Sequence, residues 1–76
     1  MVIAYIMVKA NTGEAERLRN DIAAVDGVSE AYIVAGDVDI IATVSVDTPA
    51  EVRETAASGI QGVDGVEDTQ TYIAME

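Results

Sequence analysis

The chain reads as an α+β domain in the order strand, helix, strand, strand, helix, strand, and three observations carry that reading. Apolar runs with strand character fall at Val2–Val8, Val28–Ala35, Ile40–Val46 and Val66–Met75. Two of the intervals between them carry apolar residues at helical spacing, with polar residues on the opposite side. The third observation is an internal echo: Val25-Asp26-Gly27-Val28 closes the first helical stretch, and Val63-Asp64-Gly65-Val66 closes the second. Two similar β-α-β halves with right-handed crossovers place both helices on one face of a four-stranded antiparallel sheet. That arrangement is the split βαβ, a ferredoxin-like βαββαβ fold.

Each element has its own signals. Val2-Ile3-Ala4-Tyr5-Ile6-Met7-Val8 is apolar at both parities, so this strand must be covered on both sides. Asn11-Thr12-Gly13-Glu14 reads as a helix start, with Asn11 or Thr12 as the cap and Glu14 near the positive end of the dipole. Ala15, Leu18, Ile22 and Val25 form the buried stripe; Glu16, Arg17, Arg19 and Asn20 fall opposite, and Asp26-Gly27 stops the helix. The second and third strands are joined by Gly36-Asp37-Val38-Asp39, a compact turn where glycine accepts positive φ and aspartate tolerates left-handed geometry. Thr48 caps the second helix, Pro49 takes its first position and Glu51 completes a capping box. Val52, Ala56 and Ile60 give its buried stripe, and Gly59, Gly62 and Gly65 fray and end it. In the last strand Thr69, Thr71 and Ile73 share one face, and Gln70, Tyr72 and Ala74 the other.

At 76 residues the chain is one domain, residues 1–76. A chain this short buries only about 60% of its unfolded surface, and with no cysteine no disulfide or thiolate metal site reinforces its core. Oligomerisation is the remaining route to stability. The strands point the same way, since Ile3, Tyr5 and Met7 oppose Ala4, Ile6 and Val8, and Tyr32 and Val34 oppose Ala31 and Ile33. Two helices cover one sheet face only, so the other would expose an apolar patch on the order of several hundred Å². An identical sheet related by a two-fold axis is the simplest cover. The expected interface is Tyr5, Met7, Tyr32, Val34 and Tyr72, giving at least a dimer of the dimeric α+β barrel type.

The charge balance is lopsided, with 14 Asp and Glu against 4 Lys and Arg and a net charge of −10. Such a chain is repelled by phosphate backbones and by anionic lipid, which excludes direct nucleic-acid and membrane partners. Half of its residues (50%) are hydrophobic, so the acidity coats a folded domain and does not signal disorder. An acid-rich surface with Lys9 as its one lysine fits an acidic, halophilic protein in a cytoplasm of high salt, where screening removes self-repulsion. Thermal unfolding is then expected at higher temperature in concentrated KCl than in dilute buffer; equal stability in both would remove this reading. The Val2–Val8 run lacks a basic flank and is too short for a membrane span, so the chain reads as a complete cytoplasmic polypeptide.

Catalysis finds little to work with. Histidine and cysteine are absent, so no nucleophile–base pair can be assembled and no catalytic residue is assigned. The carboxylate neighbours Asp37 and Asp39, and Asp64, Glu67 and Asp68, are what chance gives in so acidic a chain. No EF-hand spacing or rigid cage marks a metal site, and no Walker or dinucleotide glycine pattern calls for a cofactor. The Gly36–Asp39 turn is different, because it puts backbone N–H groups and a carboxylate at one end of a sheet. Those are the complementary halves of a zwitterion receptor, against the simpler reading of a plain hairpin turn. Thr69 and Thr71 offer hydroxyls on one face, or are simply good strand formers. The tyrosines suit an interface as packing residues with a polar handle.

The stretch Val28-Ser29-Glu30-Ala31-Tyr32-Ile33-Val34-Ala35-Gly36-Asp37-Val38-Asp39-Ile40-Ile41-Ala42-Thr43-Val44 resembles the effector-binding (RAM) domain of the Lrp/AsnC family of feast-or-famine transcription regulators. That domain carries a Gly-x-x-Asp turn between its second and third strands, matched by Gly36 and Asp39. Its last strand follows a Gly-Val with a Thr-x-Thr pair, matched by Gly65-Val66 and Thr69-Gln70-Thr71. The resemblance covers essentially all 76 residues. It implies binding of an amino acid or related metabolite, dimerisation through the sheets, and further assembly with the effector between dimers, beside the turn. The ligand residues it implies are Ala35, Gly36, Asp37, Val38, Asp39, Thr69 and Thr71. Ala35 stands where the family often has Thr or Ser, and Val38 where an aromatic commonly precedes the aspartate. Full-length members add a DNA-binding helix-turn-helix; this chain begins at the first strand and reads as a stand-alone effector domain.

The expected function is therefore a small-molecule, amino-acid-binding regulatory domain that modulates transcription through ligand-dependent assembly. Turn amides would receive a carboxylate, Asp39 or Asp37 would accept from an ammonium, and Thr69 and Thr71 would orient the ligand. An alternative is an oligomerisation module that co-assembles with a full-length Lrp/AsnC-type regulator. A small dimeric α+β-barrel enzyme shares the topology, but the lack of His, Trp and Phe argues against one.

Overall fold

The computed structural model describes residues 1–11 and 13–75. It runs β1 (Val2–Ala10), α1 (Ala15–Ala23), β2 (Val28–Ile33), β3 (Ile40–Val46), α2 (Pro49–Glu54) and β4 (Val66–Ile73), with α2 continuing directly into a π-helical stretch, Thr55–Ile60. The strands form one four-stranded sheet in the order β2-β3-β1-β4, and every neighbouring pair is antiparallel. This is the βαββαβ order expected.

Alternation decides which side chains face the helices. Ala4, Ile6 and Val8 of β1 and Ile40, Ala42 and Val44 of β3 are fully buried, packed with Leu18 and Ile22 of α1 and Val52, Ala56 and Ile60 beyond. The opposite parity faces away from the helices. Register sets Met7 between Ile41 and Gln70, Tyr5 between Thr43 and Tyr72, and Tyr32 beside Ile41. Tyr5, Tyr32 and Tyr72 stay 43%, 49% and 55% exposed there. Val34 follows the last residue of β2 and is half-buried.

The second helix starts as its sequence specifies. Thr48 Oγ1 accepts from the Glu51 amide at 3.2 Å, and Glu51 Oε2 accepts from the Thr48 amide at 3.1 Å. Three other local expectations change. α1 begins at Ala15 with Glu14 at the cap position and no side-chain cap; Asn11 instead donates its amide to the Gly65 carbonyl at 2.9 Å. Thr12 lies outside the described residues. Gly59 does not end the second helix, which continues through it to Ile60. A Cβ there would collide with Val25, so Gly59 lets this helix close on the loop after α1. Finally, Gly36 does not take positive φ; among the described residues only Gly27 (96°) and Gly65 (103°) do. These are the glycines of the internal echo, each in the third position of a turn closed by Val28 N to Val25 O at 3.1 Å and Val66 N to Val63 O at 3.3 Å. The strands also end differently: β2 stops at Ile33 and β4 at Ile73, while β1 reaches Ala10.

Candidate functional site

The β2–β3 loop is anchored by Asp39. Between Lys9 and Ala10 the register of β1 against β4 shifts, an irregularity that takes a backbone group out of the ladder. Asp39 supplies the missing acceptor, its Oδ2 receiving the Ala10 amide at 2.9 Å. Its own amide donates to the Val8 carbonyl at 3.0 Å, and its carbonyl accepts from the Val34 amide at 2.9 Å. Three bonds thus tie the end of the loop to β1 and to Val34 just after β2, and the carboxylate is committed to the backbone. The amides of Gly36, Asp37 and Val38 have no protein acceptor among the described residues.

Because β1 lies between β3 and β4, the loop faces β4 across the end of β1. A cleft of about 330 Å³ opens there, lined by Met7, Lys9, Asp37, Val38, Asp68, Thr69 and Gln70. Lys9 stands opposite Asp68 in the strand register. Asp68 Oδ1 accepts from the Thr69 amide at 2.9 Å, while Thr69 Oγ1 accepts from Gln61 Nε2 at 2.8 Å. Tyr72 Oη donates to Gln70 Oε1 at 3.0 Å, fixing an amide at the rim. Lys9 makes no ion pair among the described residues. The cleft therefore offers both signs of charge on the side of the sheet that the helices leave open. On that same face the hydrogen bond to Glu30, followed by desolvation, holds the Tyr32 phenol above its ordinary pKa.

Of the residues that the sequence singles out, Asp37, Val38 and Thr69 line this cleft. Ala35, Gly36 and Asp39 share the loop without forming its walls. Thr71 pairs with Ile6, whose side chain faces the helices, and lines a separate groove of about 450 Å³ with Val52, Ala56 and Ile73. Thr69, opposite the equally buried Val8, shares that parity and its hydroxyl accepts from Gln61, yet it borders the cleft beside Asp68 and Gln70 while Thr71 does not. Lys9, Asp68 and Gln70 are not legible as site residues in the sequence, since only the β1–β4 register brings them to the loop, and Met7 is expected at the interface alone. The lone lysine was the one available signal. A third cleft, of about 570 Å³, is lined by Asp26, Asp47, Glu51, Glu54, Thr55 and Ser58 among others. There the Glu51 carboxylate is used by the capping box and the Thr55 hydroxyl donates to the Asp26 carbonyl at 3.3 Å. Among the described residues no group of three potential ligands could hold a metal ion. No helix among them is long and apolar enough to cross a membrane.

The family model of the Lrp/AsnC ligand binding domain matches residues 3–76. The leucine-responsive regulatory protein of Haemophilus influenzae is 28% identical over 76 residues, 100% of this chain and 46% of that protein. The chain therefore spans about half the length of this curated relative. The crystal structure of TTHA0845 from Thermus thermophilus is similar with a TM-score of 0.93 at 29% identity, over 100% of this chain and 95% of that one. The transcriptional regulator NMB0573 of Neisseria meningitidis, solved as an L-Met complex, has a TM-score of 0.84 over 99% of this chain and 50% of its own. At 14% identity that likeness is one of fold alone. On the evidence of a family match over nearly its whole length and of this strand order, the chain belongs to the Lrp/AsnC ligand binding domain family.

Proposed function

We propose that this domain binds an amino acid, or a closely related zwitterion, in the cleft between the β2–β3 loop and β4, and that occupancy changes how copies of the chain assemble. The observation that carries the reading is the presence at one small cleft of loop amides and a carboxylate, Asp37, that have no partner among the described residues. The amides of Asp37 and Val38 receive the ligand's carboxylate, and Asp37 accepts from its ammonium. Asp39 holds the loop and does not touch the ligand. A charge-assisted hydrogen bond in such a site contributes about 1.5–3 kcal/mol. The L-Met bound by the distant Neisseria regulator supports the ligand class.

Coupling to assembly follows from position. Met7 and Gln70 belong both to the cleft and to the face that carries Tyr5, Tyr32 and Tyr72. A second sheet packed on that face would bury these tyrosines, so a ligand that favours the packed state shifts the equilibrium by its differential affinity. The same face could pair with the corresponding domain of a longer regulator. That second reading is favoured by the tyrosines left exposed there. No catalytic step is proposed, as the family is one of regulatory ligand-binding domains.

Isothermal titration of the protein with each common amino acid in concentrated KCl tests the ligand reading. Saturable heat with at least one of them is expected, weakened about tenfold or more in Asp37→Asn. No heat from any amino acid would leave the proposal without support.

A further inference from the structure

We infer that the cleft selects a cationic amino acid, one with a second ammonium or a guanidinium, and that Lys9 joins the loop amides in holding its carboxylate. The inference rests on the proposed amino-acid site and deepens it. The charged walls are Lys9, Asp37 and Asp68, which leaves one carboxylate in excess of the cations. Asp68 reaches the cleft from β4 and Asp37 from the loop, with Lys9 on β1 between them.

A neutral zwitterion matches Lys9 and one aspartate, and leaves the other carboxylate against its apolar side chain. Covering a carboxylate without giving it a partner is unfavourable. An acidic amino acid is worse, since it brings a further negative charge to an already negative cleft. A ligand with one carboxylate and two cationic groups satisfies all three side chains. The components are free to do so. Lys9 is exposed and forms no ion pair among the described residues, although Asp68 is its register partner. Asp68 has one oxygen bonded to the Thr69 amide at 2.9 Å, which orients the carboxylate and leaves the other oxygen for a ligand. The cleft volume of about 330 Å³ falls at the small end of the roughly 300–1,000 Å³ range of ligand pockets, as suits a single amino acid.

The chain's overall charge of −10 attracts any cation, so the test must separate the site from the general field. L-lysine, L-leucine, L-glutamate and cadaverine, the decarboxylated analogue of lysine, are titrated calorimetrically into the intact protein and its Lys9→Met, Lys9→Arg, Asp68→Asn and Glu54→Gln variants at one fixed salt concentration. Circular dichroism checks that each variant is folded. L-lysine is expected to bind about tenfold or more tighter than L-leucine, with L-glutamate weakest. Lys9→Met should weaken L-lysine about tenfold without weakening cadaverine, and Lys9→Arg should restore it. Asp68→Asn should remove most of the preference for L-lysine over L-leucine, whereas the remote Glu54→Gln should leave it intact.

Equal binding of L-leucine and L-lysine overturns the inference, as does an equal loss of preference in Asp68→Asn and Glu54→Gln, which would mark the general field. If L-leucine binds, Asp37→Asn abolishes it and Lys9→Met is neutral, the amino-acid site stands and the selectivity claim falls. Binding of none of the probes, with no other amino acid bound, overturns both.

Discussion

Tyr5→Glu is expected to turn the proposed sheet-on-sheet assembly into monomers. Tyr5 lies on a central strand, flanked in register by Thr43 and Tyr72, on the face that no helix covers. Tyr32 and Ile41 continue the apolar surface toward one sheet edge. A core of twelve small and medium apolar side chains among the described residues has little reserve, and tyrosines left 43% to 55% exposed are where further burial is available. An isologous sheet-on-sheet contact places each such residue at the interface twice. An unpaired carboxylate buried there costs about 3–5 kcal/mol, which raises the dissociation constant at least about a hundredfold. Tyr5→Phe keeps the area and should keep the assembly. Equilibrium sedimentation of the three proteins reads this directly, and a Tyr5→Glu protein of unchanged mass would place the interface elsewhere.

Asp39→Ala should lower stability by about 1–3 kcal/mol, because the Ala10 amide loses its acceptor at the register shift between β1 and β4. For a chain of this length that is a fall in Tm of roughly 4–8 °C per kcal/mol. Asp39→Asn retains an oxygen for the Ala10 amide and should lose much less. Thermal unfolding of the two variants distinguishes this role from direct ligand contact. A contact residue would leave Tm unchanged in Asp39→Ala while binding disappeared. An anchoring residue lowers Tm and weakens binding in step, through a loosened loop.

The two apolar faces of the first strand, Ile3, Tyr5 and Met7 against Ala4, Ile6 and Val8, were legible in the sequence, since successive side chains of a strand point to opposite faces. So was the start of the second helix, where Thr48, Pro49 and Glu51 each satisfy a local requirement. The echo of Val25-Asp26-Gly27-Val28 in Val63-Asp64-Gly65-Val66 marked two like turns, and both glycines take positive φ. What escaped the sequence depends on partners far along the chain. Gly59 resembles a helix terminator until Val25 is seen against it, and Gly36 looks indispensable until its φ is known.

The site shows the same division. Its loop could be placed from Gly36 and Asp39, but the commitment of Asp39 to a backbone amide depends on an irregularity beside Lys9 in another strand. Lys9 and Asp68 meet only through the register of β1 with β4. Thr71 sits two residues from Thr69, yet lines a groove under the second helix and not the cleft.

Sedimentation equilibrium with and without the tightest-binding amino acid, on the unaltered protein and on Asp37→Asn in concentrated KCl, tests the coupling of cleft and assembly most directly. The weight-average mass should shift on saturation of the unaltered protein and stay constant in Asp37→Asn. A mass unaffected by a ligand that calorimetry shows to be bound would contradict the account.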